Sequence, residues 1–312
     1  MVYFNVSVQD SNVNTFIMKS GEIIGKIVRK TKSTFVDVWD SYTQVTNSIQ
    51  EALTKISDSD DYSVYITLPS WFSLSKDDKE KWVKGIFGSF PETNNITIDT
   101  VSKASLYCTD SSFENRISLV FNETTTGWIK TKKDSRPIVG YGYLINGDPL
   151  SLFDLGGTVI SFILSSKVKK LERLLYRELN LNDKLEMLNQ MYSNSYEGRE
   201  MIMKIGSRKF LDKMKKEMTL EQRQSFTKLL RRKIDSFVFW LYKDVKSILS
   251  EGRVSFAIIG SVFGESKPLY DYFMEVVERT FNEKSIEVKF EKREKDLGVT
   301  IKLMIEELKW DM

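Results

Sequence analysis

Residues 256–269 read FAIIGSVFGESKPL, and this stretch decides the fold. The apolar run from Phe256 to Ile259 is typical of a buried strand, and the apolar spacing that begins at Leu269 is typical of a helix. The small residues Gly260 and Ser261 separate the two elements. Such a turn lets a ligand lie against backbone amides, and the N-terminus of the following helix favours anionic groups. Turns of this composition are also common structural connections, so the stretch alone leaves both interpretations open.

A second stretch, residues 139–151, reads VGYGYLINGDPLS and is followed by Gly156 and Gly157 in an apolar helix. Its glycines surround one carboxylate, Asp148. This composition suits a loop that approaches a ligand closely and offers it one fixed acceptor. An ordinary connection rich in turns is the structural alternative.

A third stretch, residues 96–99, reads ITID and ends in Asp99. This aspartate comes at the end of an apolar strand and immediately before a short helix of small residues. Carboxylates at strand ends often act as catalytic bases, although helix caps are commoner.

The start of the chain alternates apolar and polar residues, which predicts three short strands joined by tight turns. Helical spacing of apolar residues then predicts an amphipathic helix, and Ser75 followed by Asp78 predicts a capping box at the start of the next one. The predicted elements are strands Val2–Val8, Asn14–Lys19, Glu22–Arg29 and Ser63–Leu68, and helices Thr34–Ile56 and Ser75–Phe87.

The remainder of the chain begins with a short helix and a hairpin and then becomes predominantly helical from Leu152 to Leu249. A basic amphipathic stretch, Lys167–Leu175, is interpreted as the solvated face of a helix rather than a nucleic-acid patch. The other predicted elements are helices Thr100–Tyr107, Leu269–Asn282 and Gly298–Trp310, and strands Ile96–Ile98, Arg116–Phe121, Trp128–Thr131, Val254–Ile259 and Ile286–Phe290, with a turn over Asn122–Gly127.

The composition fits a packed globular protein, with 41% hydrophobic and 29% charged residues among 312. A net charge of +3 is too small to indicate a nucleic-acid partner, and no apolar run is long enough to span a membrane. We therefore expect a cytoplasmic protein. The chain has no histidine, which excludes Ser-His and Cys-His catalytic pairs. Phosphoryl transfer stays compatible, because it needs positioning, a metal and at most one carboxylate base.

Taken together and in this order, the three stretches resemble the N-acetylglucosamine kinase branch of the BadF/BadG/BcrA/BcrD ATPase family, within the actin, sugar kinase and Hsp70 superfamily. The resemblance runs the whole chain. It implies an α/β fold of two actin-like (ribonuclease H-like) lobes with a nucleotide and sugar cleft between them. Residues 1–98, completed by a helix at about 298–312, are expected to form the first lobe. Residues 99–297 are expected to form the second, with a helical insertion at about 152–249.

The resemblance also implies roles for individual residues. Asp99 corresponds to the base that acts on the sugar hydroxyl. ATP, Mg²⁺ and a sugar or amino sugar are the implied ligands, and dimers are common in similar proteins. The implied sugar contacts are Gly142, Asp148 and Ser151, and the implied nucleotide turn contains Gly260, Ser261 and Phe263.

The two phosphate loops of the family are altered in this chain. The first loop, Asp-Gly-Gly-Gly-Thr-Lys-Thr in the family, aligns with residues 7–13, which read SVQDSNV. Ser7 replaces the aspartate that organises the metal, and the hydroxyls of Ser7 and Ser11 are the implied nucleotide contacts of this loop. Asp10 is displaced from the family position, though it could reach a metal. The second loop, Gly-Thr-Gly-Ser, aligns with residues 122–125, which read NETT. Only the hydroxyls of Thr124 and Thr125 are retained there as implied nucleotide contacts.

At positions where the family has glycine, side chains would crowd the phosphates and block hydrogen bonds from the backbone amides. Each lost contact costs on the order of 2–4 kcal/mol of transition-state stabilisation.

Three hypotheses stay open. The chain is an ATP-dependent sugar or amino-sugar kinase with degenerate phosphate loops, or a non-catalytic pseudokinase that binds a sugar, a nucleotide or a protein partner. The third is an ATPase that activates another enzyme, against which the single cysteine, Cys108, stands, since such activators share an iron-sulfur cluster.

Overall fold

The structure is a computed structural model, and it describes residues 1–9, 12–32, 34, 37–57, 61–139, 148–192, 196–249, 252–264 and 267–291. The described residues form two compact units. The first contains Met1–Ser112 and Glu291, and the second contains Phe113–Phe290. The boundary in the chain thus lies after Ser112, whereas the sequence analysis expects it after residue 98. The predicted closing helix, Gly298–Trp310, lies outside the described residues.

The first unit is built on a five-stranded sheet with the order β3-β2-β1-β4-β5. The first three strands form an antiparallel meander, and β4 and β5 run parallel to β1. Short 3₁₀ turns lie at Trp71–Ser73 and Ser105–Cys108. The strands and helices are β1 Val2–Gln9, β2 Asn12–Lys19, β3 Glu22–Lys30, α1 Val38–Leu53, β4 Tyr62–Thr67, α2 Lys76–Ser89, β5 Asn95–Asp99 and α3 Val101–Ala104.

Strand β1 shows how the sequence pattern places the core of this unit. Because side chains alternate between the two faces of a strand, Val2, Phe4, Val6 and Val8 all enter one apolar core, which they share with α1 and α2. Residues 3, 5 and 7 therefore face the opposite side of the sheet. The three strands predicted at the start of the chain are confirmed.

Helix boundaries in the first unit follow the capping residues. Ser75 accepts a hydrogen bond from the backbone N–H of Asp78 at 3.1 Å, so the predicted cap of α2 is confirmed. The predicted start of the first helix at Thr34 is wrong. The carboxylate of Asp37 accepts from the backbone N–H of Asp40 at 2.9 Å and caps the helix there, so α1 begins at Val38.

The second unit contains another five-stranded sheet, with the order β10-β9-β6-β7-β8. Strand β6 pairs with β7 in an antiparallel manner and with β9 in parallel. Six helices lie between β8 and β9 in the described chain. The elements are β6 Asn115–Phe121, β7 Thr125–Lys130, β8 Ser135–Val139, α4 Leu152–Ser166, α5 Lys169–Leu179, α6 Lys184–Tyr192, α7 Tyr196–Gly206, α8 Arg208–Glu217, α9 Leu220–Val245, β9 Arg253–Ile259, α10 Ser261–Gly264, α11 Lys267–Asn282 and β10 Glu287–Phe290.

Two details of the second sheet differ from the sequence prediction. Strand β7 begins at Thr125 rather than at Trp128, so the predicted turn over Asn122–Gly127 is shorter. Gly127 lies inside the strand, where a side chain would contact Val139 of β8 at 2.7 Å. Strand β8 itself is absent from the prediction, because its short sequence contains Pro137 and shows little alternation.

Helices α4 and α7 cross at two glycines. A Cβ atom at Gly156 would clash with the carbonyl oxygen of Ile202, and one at Gly206 would clash with that of Leu152. Gly156 lies in the apolar helix that the sequence predicts after the second stretch, and there it permits backbone contact between two helices. Among the described helices, none is long and apolar enough to cross a bilayer.

The adjacent glycines of α4 provide a test of this crossing. We expect Gly156→Ala to lower the free energy of unfolding by about 1–3 kcal/mol or more, because the added methyl group overpacks the contact with α7. Gly157→Ala is the matched control, since a Cβ there meets nothing within 4 Å. It should raise stability by about 0.5–1 kcal/mol through helix propensity. Urea unfolding of both variants measures the difference, and equal effects would contradict the crossing.

Candidate functional site

Three polar residues form a row at the carboxyl edge of the first sheet. Ser7 of β1 lies beside Thr67 of β4, and Thr67 lies beside Asp99 of β5. Parallel strands end at the same edge of a sheet, where ligands of open α/β sheets bind. We call Ser7, Thr67 and Asp99 the polar row.

The interior part of this row is buried without hydrogen bonds. The hydroxyls of Ser7 and Thr67 are almost fully buried and have no hydrogen-bond partner among the described residues. Asn5, two residues before Ser7 on β1, is also fully buried, and its side-chain nitrogen and oxygen have no hydrogen-bond partner among the described residues. Each unsatisfied buried group lowers the stability of the folded protein by about 1–3 kcal/mol. A polar ligand that forms hydrogen bonds with these groups would offset that loss.

Asp99 lies at the end of β5 and immediately before α3, as the sequence predicts. One carboxylate oxygen accepts from the backbone N–H of Thr100 at 2.9 Å. The other forms an ion pair with Lys103 at 2.7 Å. Its side chain is 16% exposed, so ligands can reach it, but both oxygens are already engaged. Each carboxylate oxygen has a second lone pair, so this position can still accept a hydrogen bond from a ligand hydroxyl.

Tyr65 lies on β4 near Asp99 and is almost fully buried. Burial raises the pKa of its hydroxyl well above the ordinary value, and the charge of Asp99 and the neighbouring Tyr107 raise it further. The hydroxyl is therefore harder to ionise than that of an exposed tyrosine. Sequence analysis missed Tyr65, Thr67 and Lys103; the lysine four residues after a strand-end aspartate is the signal that could have identified the ion pair.

The implied metal site is only partly described. Asp10, Ser11 and Gly142 lie outside the described residues. In the described ranges no group of three or more carboxylate or cysteine side chains could hold a metal ion. Mg²⁺ is usually bound by one or two carboxylates together with substrate phosphates, and Ser7 contributes a hydroxyl where the family has a carboxylate. The described residues alone therefore do not form a magnesium site.

In the second unit, Asn122 joins three segments that are distant in sequence. Its side-chain oxygen accepts a hydrogen bond from the backbone N–H of Ser261 at 2.8 Å. Its backbone carbonyl accepts from the N–H of Leu152 at 2.8 Å. Its own N–H donates to the carbonyl of Thr124 at 3.0 Å. We call this arrangement the Asn122 junction. It brings the second phosphate loop, the start of α4 and the Gly260 turn together.

Gly260 is required by this junction. Its φ of +117° lies in a region that favours glycine, and a Cβ there would clash with the carbonyl oxygen of Phe121. Asn122 follows Phe121 in the chain, and its side-chain oxygen accepts the hydrogen bond from the backbone N–H of Ser261. The glycine therefore serves the contact between the ends of β6 and β9. Phe263 belongs to α10, and its side chain lies outside the described part of the chain.

The other implied contacts of this unit take part in local structure. The hydroxyl of Ser151 caps α4 by accepting from the N–H of Asp154 at 3.0 Å. Thr125 donates to the carbonyl of Pro149 at 2.7 Å. Asp148 and Thr124 are buried beside them. The structure thus brings these residues into one cluster, but the hydroxyls of Ser151 and Thr125 hold two turns together.

A pocket opens beside Ser261. It has a volume of about 420 Å³ and lies between α4, α8 and the start of α11. Leu152, Leu155 and Leu211 are among its apolar residues. Its cations are Arg208, Lys215 and Lys267, and among them Arg208 lies 3.3 Å from the carboxylate of Asp212. We call this cavity the Ser261 pocket. It combines an apolar wall with a positively charged rim.

Comparison with known proteins gives a match in structure alone. No protein-family model matches the chain. No curated protein matches it. A Porphyromonas gingivalis protein provisionally assigned as an N-acetylglucosamine kinase matches with a TM-score of 0.66 and 12% identity, over 98% of this chain and 97% of that one. A Chromobacterium violaceum protein with the same provisional assignment gives 0.63 and 12% identity, over 97% and 98% of the two chains.

A ROK family glucokinase from Streptomyces griseus, in complex with glucose and AMPPNP, matches with a TM-score of 0.55 and 9% identity, over 98% of this chain and 99% of that one. The chain has the two-lobed fold of actin-like sugar kinases. The predicted fold class is thereby confirmed. At these identities the likeness establishes the fold alone.

The buried polar edge of the first unit gives a stability test. Ser7 and Ser105 are both buried serines of this unit, but only Ser105 has a partner, the carbonyl of Val101 at 2.7 Å. We expect Ser105→Ala to cost about 1 kcal/mol and Ser7→Ala to be neutral or stabilising, because it removes an unsatisfied hydroxyl. Chemical denaturation without added ligand measures both. A loss on Ser7→Ala as large as that on Ser105→Ala would show that Ser7 is satisfied in the folded protein.

Proposed function

We propose that the chain is a sugar-kinase-like protein that binds an adenine nucleotide in the Ser261 pocket and a sugar or amino sugar at the polar row, with slow phosphoryl transfer. The observation that carries this proposal is the Ser261 pocket itself. It lies at the turn that the sequence resemblance assigns to the nucleotide, and its volume of about 420 Å³ falls in the range of small-molecule sites.

The chemistry of the pocket supports a nucleotide. An apolar wall suits a purine ring, and Arg208, Lys215 and Lys267 supply positive charge for phosphates. The solved sugar kinase with a similar fold contains AMPPNP and glucose, which supports the same pair of ligand classes here. ATP is therefore the proposed nucleotide, with Mg²⁺ as its companion ion.

Slow transfer follows from the altered phosphate loops. Ser261 donates its backbone N–H to Asn122, so this amide is engaged within the protein rather than directed at a phosphate. The carboxylate of Asp99 is held by Lys103. Fixed hydrogen-bond donors and a correctly placed base supply most of the acceleration in phosphoryl transfer. Holding the Ser261 amide and the Asp99 carboxylate in contacts within the protein therefore lowers the rate.

A non-catalytic pseudokinase is the second candidate. The Asn122 junction favours it, because its hydrogen bonds are complete within the protein and position no group for catalysis. In this case nucleotide or sugar binding acts as a signal, and no product forms.

Nucleotide binding is tested by charge reversal at the pocket. At an ATP concentration 100 times the dissociation constant, binding should add about 2.7 kcal/mol to the stability of the folded protein. Lys215→Glu should weaken ATP at least about tenfold, since it places a carboxylate beside the phosphates. Lys216→Glu is the matched control, because this exposed neighbour does not line the pocket. Thermal-shift titration with ATP and Mg²⁺ measures all three proteins.

No shift of the wild-type protein with any nucleotide would remove both the kinase and the nucleotide-binding pseudokinase. Equal loss in the Lys215 and Lys216 variants would indicate a general electrostatic effect and would contradict binding in the Ser261 pocket.

Phosphoryl transfer is tested separately with a coupled assay for ADP release over a panel that includes N-acetylglucosamine and glucose. If Asp99 is the base, Asp99→Asn should lower sugar-dependent ADP release by about 10²–10⁴-fold while nucleotide binding is retained. Unchanged activity in this variant would discard Asp99 as the base. Nucleotide binding with no sugar-dependent ADP release in the wild-type protein would establish the pseudokinase.

A further inference from the structure

Two adjacent aromatic side chains protrude from α9. Trp240 is 67% exposed and Phe239 is 49% exposed. Their rings pack edge to face at 6.2 Å, and the ammonium group of Lys243 lies 4.4 Å from the ring of Phe239 and 5.6 Å from that of Trp240. Exposed tryptophan flanked by cations is a typical composition of a protein interaction site. The two rings face different hollows of the second unit.

Trp240 borders a groove of about 890 Å³ that runs between α9 and the end of β8. Ile138 and Val139 form the wall on the β8 side. Phe237, Trp240 and Leu241 form the wall on the α9 side. Phe239 lies outside this hollow and lines another one on the opposite flank of α9. We call the first hollow the Trp240 groove.

The groove has an excess of positive charge. Its two acidic residues are neutralised, because Asp154 pairs with Lys233 at 2.6 Å and Asp244 pairs with Arg136 at 3.3 Å. Arg232 and Lys243 also line the groove, and neither pairs with a carboxylate of the described chain. The groove therefore presents apolar walls with two cations available to an acidic partner.

The shape of the groove selects among possible occupants. An added β-strand would need the backbone donors of the edge strand β8, but Pro137 removes one of them from the middle of that strand. Nucleic acid would need many phosphate contacts, and two open cations are too few. A helix that inserts apolar side chains between α9 and β8 needs neither backbone donors nor many cations.

We propose that the Trp240 groove binds an amphipathic helix of a partner protein, with apolar residues directed into the groove and acidic residues directed at Arg232 and Lys243. The lining residues of α9 run from Leu229 to Asp244, so the groove follows this helix for about 22 Å. A partner helix of about four turns matches that length. The groove shares no lining residue with the Ser261 pocket.

Selection from a phage-displayed library of peptides about 16 residues long tests the proposal on the full-length protein. We expect enriched peptides with apolar residues at helical spacing and Asp or Glu on the flanks. Fluorescence anisotropy of the enriched peptides should show at least a tenfold loss of affinity for Trp240→Ala. Leu220→Ala is the control and should bind as the wild-type protein does, because this exposed residue at the start of α9 lies outside the groove.

Charge reversal tests the acidic character of the partner. Arg232→Glu combined with Lys243→Glu should abolish binding of the acidic peptides and allow binding of versions with Lys in place of Asp and Glu. Failure to enrich any peptide that distinguishes wild type from Trp240→Ala overturns the proposal. The proposal is also overturned if the wild-type protein self-associates and the Trp240→Ala variant is monomeric, since a second copy would then occupy the groove. Preferential binding of an RNA oligonucleotide at the same residues would likewise contradict a helical protein partner.

Discussion

The second unit depends on the three hydrogen bonds of Asn122. Strands β6 and β9 end side by side, and Gly260 lets their backbones approach closely enough for the Asn122 side chain to reach Ser261. The carbonyl of the same residue fixes the start of α4. Because α4 also contributes residues to the Ser261 pocket, one residue positions both the turn, through its side chain, and one wall of the pocket, through its backbone carbonyl.

The first unit has the opposite character at the corresponding edge of its sheet. Ser7, Thr67 and Asn5 are buried without hydrogen-bond partners in the described chain, whereas the side-chain oxygen, backbone N–H and backbone carbonyl of Asn122 all form hydrogen bonds. Buried polar groups without partners are rare in native proteins and persist where they serve binding. The polar row of the first unit therefore has hydrogen-bonding groups without a partner in the described chain, whereas the Asn122 junction uses its hydrogen bonds to hold segments of the second unit together.

Much of the fold can be predicted from the sequence, because strand alternation and helix caps are local signals. Val2, Phe4 and Val6 identify β1 and its buried face, and Ser75 identifies the start of α2. The site is harder to predict. Asn122 attracts notice only as a departure from a glycine-rich loop, and its role depends on Ser261, which is distant in sequence. The helix contact at Gly156 is missed for the same reason, because Ile202 lies far away in sequence. Strand β8 is missed because it is short, contains Pro137 and shows little alternation.

The long separation between paired elements has a consequence during synthesis on the ribosome. Asn122 and Ser261 are 139 residues apart, and β6 has no parallel partner until β9 has left the ribosome. At about 5–20 residues per second this delay lasts roughly 7–28 s. The backbone N–H and C=O groups on that edge of β6 stay unpaired for the whole interval, and Phe121 lacks Phe273 of α11, on which it packs in the folded unit. The second unit therefore completes its sheet late in synthesis, whereas the opening meander of the first can pair as soon as β3 has left the ribosome.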